Sequence, residues 1–387
     1  MRMSLSTRLK ALLLALAVLG LLSIFGWVSP SRLLGDDTTA DLSGMPKLEP
    51  ERVLRTPGAV TKLVWSSDGT KLAAAIIGQG APVPFTGFRT GAFGSLIMVW
   101  EADGRIYREL RRKESFFNVG NDIAFVASDK QIVAPALHSS NTVAFSVFDL
   151  QSGEIVREVA GPVPDGTRFV NRAWRLVAMP DQQVLVVGFQ GDRQPIALYS
   201  TQDWTKLGDL PDVSKPLMPS AATFSKDGRF LAIVRGGTVL IYETASRQIV
   251  QRFGPTFEPG YGFPNEVALS PDGSMVAILL RGFSVGSAGG TVLSNDDAVG
   301  VFSTRDASRI AFHNKLSMVN GLAWSPVGTF LAFTTRYKKL HFRDALKVGP
   351  FERTRELSSA LSLAFSPDGA KLAVRDGENV RIFRIVN

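Results

Sequence analysis

Five stretches of the chain share one rhythm: an apolar segment in which large and small side chains alternate, a tight polar turn, and a second apolar segment. They are LVWSSDGTKLAAAI from Leu63, ATFSKDGRFLAIV from Ala222, VALSPDGSMVAILL from Val267, LAWSPVGTFLAFTT from Leu322 and LAFSPDGAKLAVR from Leu363. Two weaker copies, IAFVASDKQIVAPA from Ile123 and LVAMPDQQVLVVGF from Leu176, fill the gaps. The alternation is the period-two signature of strands, not the 3.6-residue period of helices. Ser or Pro early, Asp next and Gly last suit a turn between antiparallel strands: a preset φ, a local side-chain hydrogen bond and a residue tolerant of φ > 0. The aligned turn positions are Asp68, Asp129, Asp181, Asp227, Asp272, Val327 and Asp368, roughly 50 residues apart.

Each pair is followed by a third apolar segment with an aromatic near its end: Trp100, Phe148, Tyr199, Tyr242, Phe302, Phe342 and Phe383. A fourth, more charged segment follows in six units, for example IYRELRRK and QIVQRFG; charge on a last strand suits an outer edge facing water. Four antiparallel strands repeated seven times predict an all-β fold, a seven-bladed β-propeller. The seventh unit stops after its third strand, whereas ERVLRT (51–56) is an unpartnered strand ahead of the first unit. The expectation is that 51–56 forms the outer edge of the last blade and latches the ring.

The turns Leu269-Ser270-Pro271-Asp272-Gly273 and Phe365-Ser366-Pro367-Asp368-Gly369, with the aromatic–acidic pairs Trp100-Glu101, Phe148-Asp149 and Tyr242-Glu243, resemble the WD-repeat family. The resemblance covers about residues 51–387 and recurs seven times. It implies a propeller used as a protein-interaction platform. The Gly-His pair that precedes the first strand in that family is absent from all seven units, so the chain is similar to a divergent, bacterial-type WD-like propeller.

Ahead of the repeats, Ala11–Val28 is a run of 18 residues without a charge, preceded by Arg2, Arg8 and Lys10. As a helix it spans about 27 Å, close to a bilayer core of ~30 Å, and the positive-inside bias keeps residues 1–10 in the cytoplasm and exports the rest. A secretory signal peptide usually has a shorter apolar run and an A-x-A-like cleavage site. Here the run ends in Gly26-Trp27-Val28-Ser29-Pro30 and Trp27 suits an interfacial anchor, so the expected organisation is a transmembrane signal-anchor over 11–28. A linker over 29–50 and the propeller over 51–387 follow. Secretion after cleavage is the alternative.

Composition narrows the chemistry. The 387 residues contain no Cys, which excludes disulfides, thiolate metal sites, a lipidated cysteine and a cysteine nucleophile. The three histidines, His138, His313 and His341, are too far apart in sequence to suggest a metal site. The net charge of +8 is dispersed, which argues against nucleic acid as a partner. Asn295-Asp296-Asp297 lacks the alternating spacing of a calcium loop and reads as a solvated loop. Gly286-Ser287-Ala288-Gly289-Gly290 has no Gly-Lys-Ser/Thr after it and is no phosphate cradle. Lys338-Lys339 and Arg111-Arg112-Lys113 read as solvated edges. No catalytic, metal or cofactor site is expected, and no cofactor.

The insertions fall on one face. In a propeller the connections from strand one to two and from three to four open on one side, and the others open opposite. The first kind is short here; the second carries 78–94, 161–174, 211–220, 254–266 and 281–299. These loops hold Phe85, Phe88, Arg89, Phe93, Arg168, Phe169, Arg172, Trp174, Phe257, Tyr261 and Phe263. Aromatics and arginines are enriched at interfaces, and such loops also fold back on their own blades. The expected function is a membrane-tethered, exported scaffold or accessory subunit of an envelope complex, with protein partners on this face. The alternative is a propeller enzyme of lactonase or dehydrogenase-subunit type acting on a small molecule in the channel. N-terminal sequencing of the membrane-associated protein tests the anchor: the sequence is expected to begin ahead of residue 11, and a start near residue 30 overturns it.

Overall fold

The computed structural model describes residues 45–78, 96–111, 122–135, 143–161, 173–189, 195–211, 219–254, 260–285, 291–293, 296–347, 352–358 and 361–386. The segment 11–28 lies outside them. Among the described residues no helix is long and apolar enough to cross a membrane.

After strand β1 (Lys47–Arg55), the strands fall into consecutive antiparallel blades. Blade 1 is β2 (Gly58–Trp65), β3 (Lys71–Gly78), β4 (Leu96–Glu101) and β5 (Ile106–Arg111). Blade 2 is β6 (Ala124–Val126), β7 (Gln131–Pro135), β8 (Val143–Asp149) and β9 (Ile155–Ala160). Blade 3 is β10 (Ala173–Ala178), β11 (Val184–Phe189), β12 (Ile196–Ser200) and β13 (Lys206–Asp209). Blade 4 is β14 (Pro219–Phe224), β15 (Phe230–Arg235), β16 (Thr238–Glu243) and β17 (Gln248–Phe253).

Blade 5 is β18 (Tyr261–Leu269), β19 (Met275–Val285), β21 (Asp296–Ser303) and β22 (Arg309–Ser317), with the short β20 (Thr291–Leu293) added on the overlong β19. Blade 6 is β23 (Val319–Trp324), β24 (Phe330–Thr335), β25 (Lys339–Asp344) and β26 (Glu352–Glu356). Blade 7 is β27 (Leu363–Phe365), β28 (Lys371–Asp376) and β29 (Asn379–Val386), with β1 as its outer strand. The fold is therefore an all-β seven-bladed propeller of four-stranded antiparallel blades.

β1 begins at Lys47, inside the stretch that the sequence assigns to the linker. Leu48 draws it in: this residue is fully buried with Phe342 and Phe383. Pro50 sits at a bulge in the pairing with β29, where a missing N–H is tolerated. Lys371–Glu51 and Arg384–Glu49 ion pairs, both at 2.8 Å, fasten the strand from the outside.

The apolar residues gather between blades. One cluster joins Trp65 and Met98 of blade 1 to Val380 and Ile382 of blade 7. Another joins Phe145 of blade 2 to Leu185 and Tyr199 of blade 3, and the same holds at each of the other junctions. Because a blade is covered on both faces, its middle strands are buried at nearly every position; β4 and β8 are examples. Their sequences are correspondingly apolar throughout rather than alternating with polar residues.

The repeated turn is a closed hydrogen-bond device. In blade 1 the Ser66 hydroxyl donates to Asp68 Oδ1 (2.6 Å), the Thr70 N–H donates to the same oxygen (2.9 Å), and the Lys71 N–H donates to Ser66 Oγ (2.8 Å). Ser225–Asp227, Ser270–Asp272 and Ser366–Asp368 repeat it. Blade 2 has no glycine here, and Ala127, Ser128 and Asp129 all take left-handed φ. Asp129 then serves the neighbours. It accepts from the Ser67 N–H at 2.9 Å and from the Gln182 amide, stitching the turns of blades 1, 2 and 3.

Burial pushes the Asp68, Asp272 and Asp368 carboxyls up, but the donated hydrogen bonds outweigh it and hold all three below the ordinary value. A carboxylate with a depressed folded-state pKa contributes stability above its unfolded pKa and loses it as pH falls through the folded value. The melting temperature is thus expected to fall as pH drops below about 4, and less so in a variant with Asp68, Asp272 and Asp368 all changed to Asn. Leu48→Ala should cost about 2–5 kcal/mol, read as a lower denaturant midpoint. A midpoint unchanged from wild type would contradict the latch.

Candidate functional site

The inner strand of each blade lines the central channel, and one register position on it carries the channel's charge. Immediately before the seven copies of the repeat stand Lys62, Asp122, Arg175, Ala221, Glu266, Gly321 and Ser362 in blades 1 to 7. In β2, β10, β14, β18 and β23 a bulge lies immediately before this position. A bulge inserts a residue and re-aims the side chains around it. It precedes Lys62, Arg175 and Glu266, three of the four charged residues at this position.

Asp122 is 2% exposed. Lys62 Nζ lies 2.9 Å from its Oδ1 and Arg175 Nη1 lies 3.3 Å from its Oδ2. Burial alone would raise the Asp122 pKa; the two cations reverse this and hold the carboxyl below its ordinary value. Glu266 goes the other way. Burial pushes it up, and the pull of Lys62 and Arg175 does not offset that, with Asp122 adding repulsion. The ring, with Thr61, Asn320 and Ser362, encloses an upper chamber of about 270 Å³. Below it Trp65, Phe125 and Ala178 line a more apolar space of about 310 Å³.

This constellation holds rather than reacts. The Asp122 carboxylate is held by two cations, which make it a weak base. Neither described histidine lines the chamber: His313 is buried in β22 with Arg343 Nη1 2.8 Å from its Nδ1, and the His341 ring stacks on Phe333. His138 lies outside the described residues. Among the described residues no three His, Asp or Glu side chains are grouped to hold a metal ion.

Of the sequence-predicted partner residues, Phe85, Phe88, Arg89, Phe93, Arg168, Phe169, Arg172 and Phe257 lie outside the described residues, and Trp174 is the second residue of β10. Tyr261 and Phe263 open β18 at the long-loop face and behave differently. The Tyr261 ring packs edge-on against Phe312 at 5.5 Å, and its hydroxyl accepts from the Lys315 N–H at 3.4 Å, so it covers its own blade. Phe263 is 51% exposed, with one edge on Phe283 at 5.7 Å.

The reading of 295–297 as a solvated loop fails at Asp297. This carboxylate is buried, takes the Arg281 guanidinium at 2.6 Å and accepts from the Val319 N–H at 2.7 Å, tying blade 5 to blade 6. Residues 286–290 lie outside the described residues. The charged ring itself is absent from the sequence-based candidates, although the aligned repeats contain its signal: Lys62, Asp122, Arg175 and Glu266 share one register.

The sequence matches no model of a known protein family and no curated protein. Among solved structures, it is similar to the β-propeller domain of Cps50 (Swd1) from Myceliophteria thermophila. The TM-score is 0.62 at 14% identity, covering 87% of this chain and 99% of that domain. At this identity the likeness shows the fold, a β-propeller.

Two stability effects follow from the ring. Asp122→Ala removes the carboxylate that holds Lys62 and Arg175 together and should lower the denaturation midpoint. Glu266, with its raised pKa, contributes stability that is present at low pH and lost as pH rises through its folded value. Glu266→Gln should therefore gain stability relative to wild type as pH rises above about 4.5, the ordinary glutamate value. Parallel denaturation midpoints across that range would contradict this account of the channel.

Proposed function

We propose that the chain is a membrane-tethered, exported β-propeller acting as an interaction scaffold or accessory subunit of an envelope complex, with its partners on the long-loop face. The reading rests on the contrast between the two faces. On one, the connections from first to second strand are tight turns closed by their own Ser–Asp hydrogen bonds. On the other, long stretches of sequence separate β3 from β4, β9 from β10 and β13 from β14, and the overlong β19 carries its partner β20. Loop length is tolerated at small entropic cost, and insertions gathered mainly on one face of a rigid scaffold point to that face as the one that carries function.

Tethering and export rest on the apolar run 11–28 and the charges ahead of it. The charged chamber favours the enzymatic alternative only as a cavity. The contacts of Asp122 with Lys62 and Arg175 are already made, and neither described histidine lines it.

The test is affinity purification of the full-length chain from solubilised membranes. A stoichiometric protein partner is expected, and Phe263→Ala should weaken its retention. Recovery of a lone monomer that turns over a small molecule overturns the reading.

A further inference from the structure

Phe263, Lys315, Met318 and Lys338 have φ of +47°, +56°, +36° and +63°. The other described non-glycine residues with φ in this region lie at the turns between first and second or third and fourth strands, on the short-turn face. On the long-loop face, left-handed non-glycine backbone is thus confined, among the described residues, to blades 5 and 6. The four are contiguous. Phe263 is two residues from Tyr261, whose hydroxyl accepts from the Lys315 N–H at 3.4 Å; Met318 follows in the same connection, and its carbonyl accepts from the Arg336 N–H at 2.9 Å. Lys338 closes the hairpin that Arg336 opens, its N–H donating to Thr335 at 3.1 Å.

A bulky side chain at positive φ is strained by about 1–3 kcal/mol, and such strain persists where the side chain is needed. The remedy is available in this molecule. In the equivalent hairpins, blade 4 uses Gly236 and Gly237 and blade 7 uses Gly377, all at positive φ. Blade 6 keeps a lysine. The side chains that the strained backbone presents have one character. Phe263 and Tyr337 are 51% and 63% exposed, and no other described aromatic is more than 36% exposed among the exposed large apolar residues. Lys315, Arg336 and Lys338 are exposed, and none has a carboxylate partner among the described residues; Arg336 reaches only the Met318 sulfur, at 3.3 Å.

We infer that this patch on blades 5 and 6 is a docking site for an extended acidic peptide segment of a protein partner. Lys315, Arg336 and Lys338 take its carboxylates, and Phe263 and Tyr337 take its apolar side chains. The inference rests on the proposed interaction role of this face and names the chemistry of the partner. Charge complementarity selects an acidic ligand, and exposed aromatics beside cations are the composition of interface anchors. A fluid anionic membrane would reward the charges but not fixed side-chain positions, so the strain favours a directional partner.

The test immobilises the detergent-solubilised full-length chain and selects from a random peptide library. Enriched peptides are expected to be rich in Asp and Glu with interspersed apolar residues. Binding of the best one, as a labelled synthetic peptide, should weaken about tenfold or more in the triple variant K315E/R336E/K338E and in F263A/Y337A, and should fall with added salt. Lys338→Gly separates binding from folding: its melting temperature should equal or exceed wild type while affinity falls. Neutral or basic selected sequences, or affinity indifferent to all these changes, overturn the inference. So does binding of phosphatidylglycerol vesicles that the triple variant abolishes while no peptide binds. If peptides bind this face elsewhere, losing affinity in Arg89→Ala or Arg168→Ala instead, the patch fails and the interaction reading stands. If neither peptide nor co-purifying protein engages the face, both fail.

Discussion

The structure depends on burial between blades. No blade holds a core of its own: each apolar cluster is shared by two neighbouring sheets, from Trp65 with Ile382 at one junction to Leu372 with Phe342 at another. A blade with one neighbour missing would expose a whole sheet face, so burial is complete only when the ring closes. Closure falls to β1, which crosses from the start of the chain to pair with β29 along its length. Leu48 and Leu54, buried at two different junctions, make the strand part of the cores and not merely a cover for an edge.

A closed ring separates what must be constant from what is free to vary. At the short turns, neighbouring blades touch and are stitched: Asp129 to Ser67, Gln182 to Asp129, the Lys226 N–H to the Pro271 carbonyl. Lengthening a turn there would break contacts on both sides. At the opposite face the connections between strands are longer in sequence, and there lie the two most exposed aromatics, Phe263 and Tyr337. The channel charges belong to the first category. Asp122 of blade 2 draws Lys62 of blade 1 and Arg175 of blade 3 to itself, which makes the triad an inter-blade tie that happens to line a cavity.

The parts of this fold legible in the sequence are those written seven times. A single Ser-Pro-Asp-Gly is a weak turn signal, but repetition at a steady spacing with an aromatic-ended third strand leaves few architectures. What repetition did not write was harder to read. Leu48 is a lone apolar residue among Lys47, Glu49 and Pro50, so nothing in the pattern marks the start of β1; only its packing in one cluster with Phe342 and Phe383 makes it a core residue. Asp297 reads as one of three polar residues in a row, and its burial comes from Arg281 and Val319, which are distant in sequence. Tyr261 and Phe263 look equivalent as letters. They part company because Gly262 and Pro264 flank a bulge that turns one ring onto Phe312 and leaves the other outside.

The same physics bears on where a partner can bind. A buried carboxylate already holding two cations gains little from a ligand, which must displace one partner before making a contact of its own; the net is a difference of similar terms. The rim at blades 5 and 6 is in the opposite state. Its cations have no carboxylate partner among the described residues, its aromatics are more than half exposed, and its backbone holds them in place at a conformational cost already met by the folded protein. A ligand arriving there spends little on ordering the site, and preorganisation of this kind is retained in affinity. Electrostatics in this molecule therefore serves two ends by location: satisfied in the channel, it binds the blades to each other, and unsatisfied at the rim, it is left for something else.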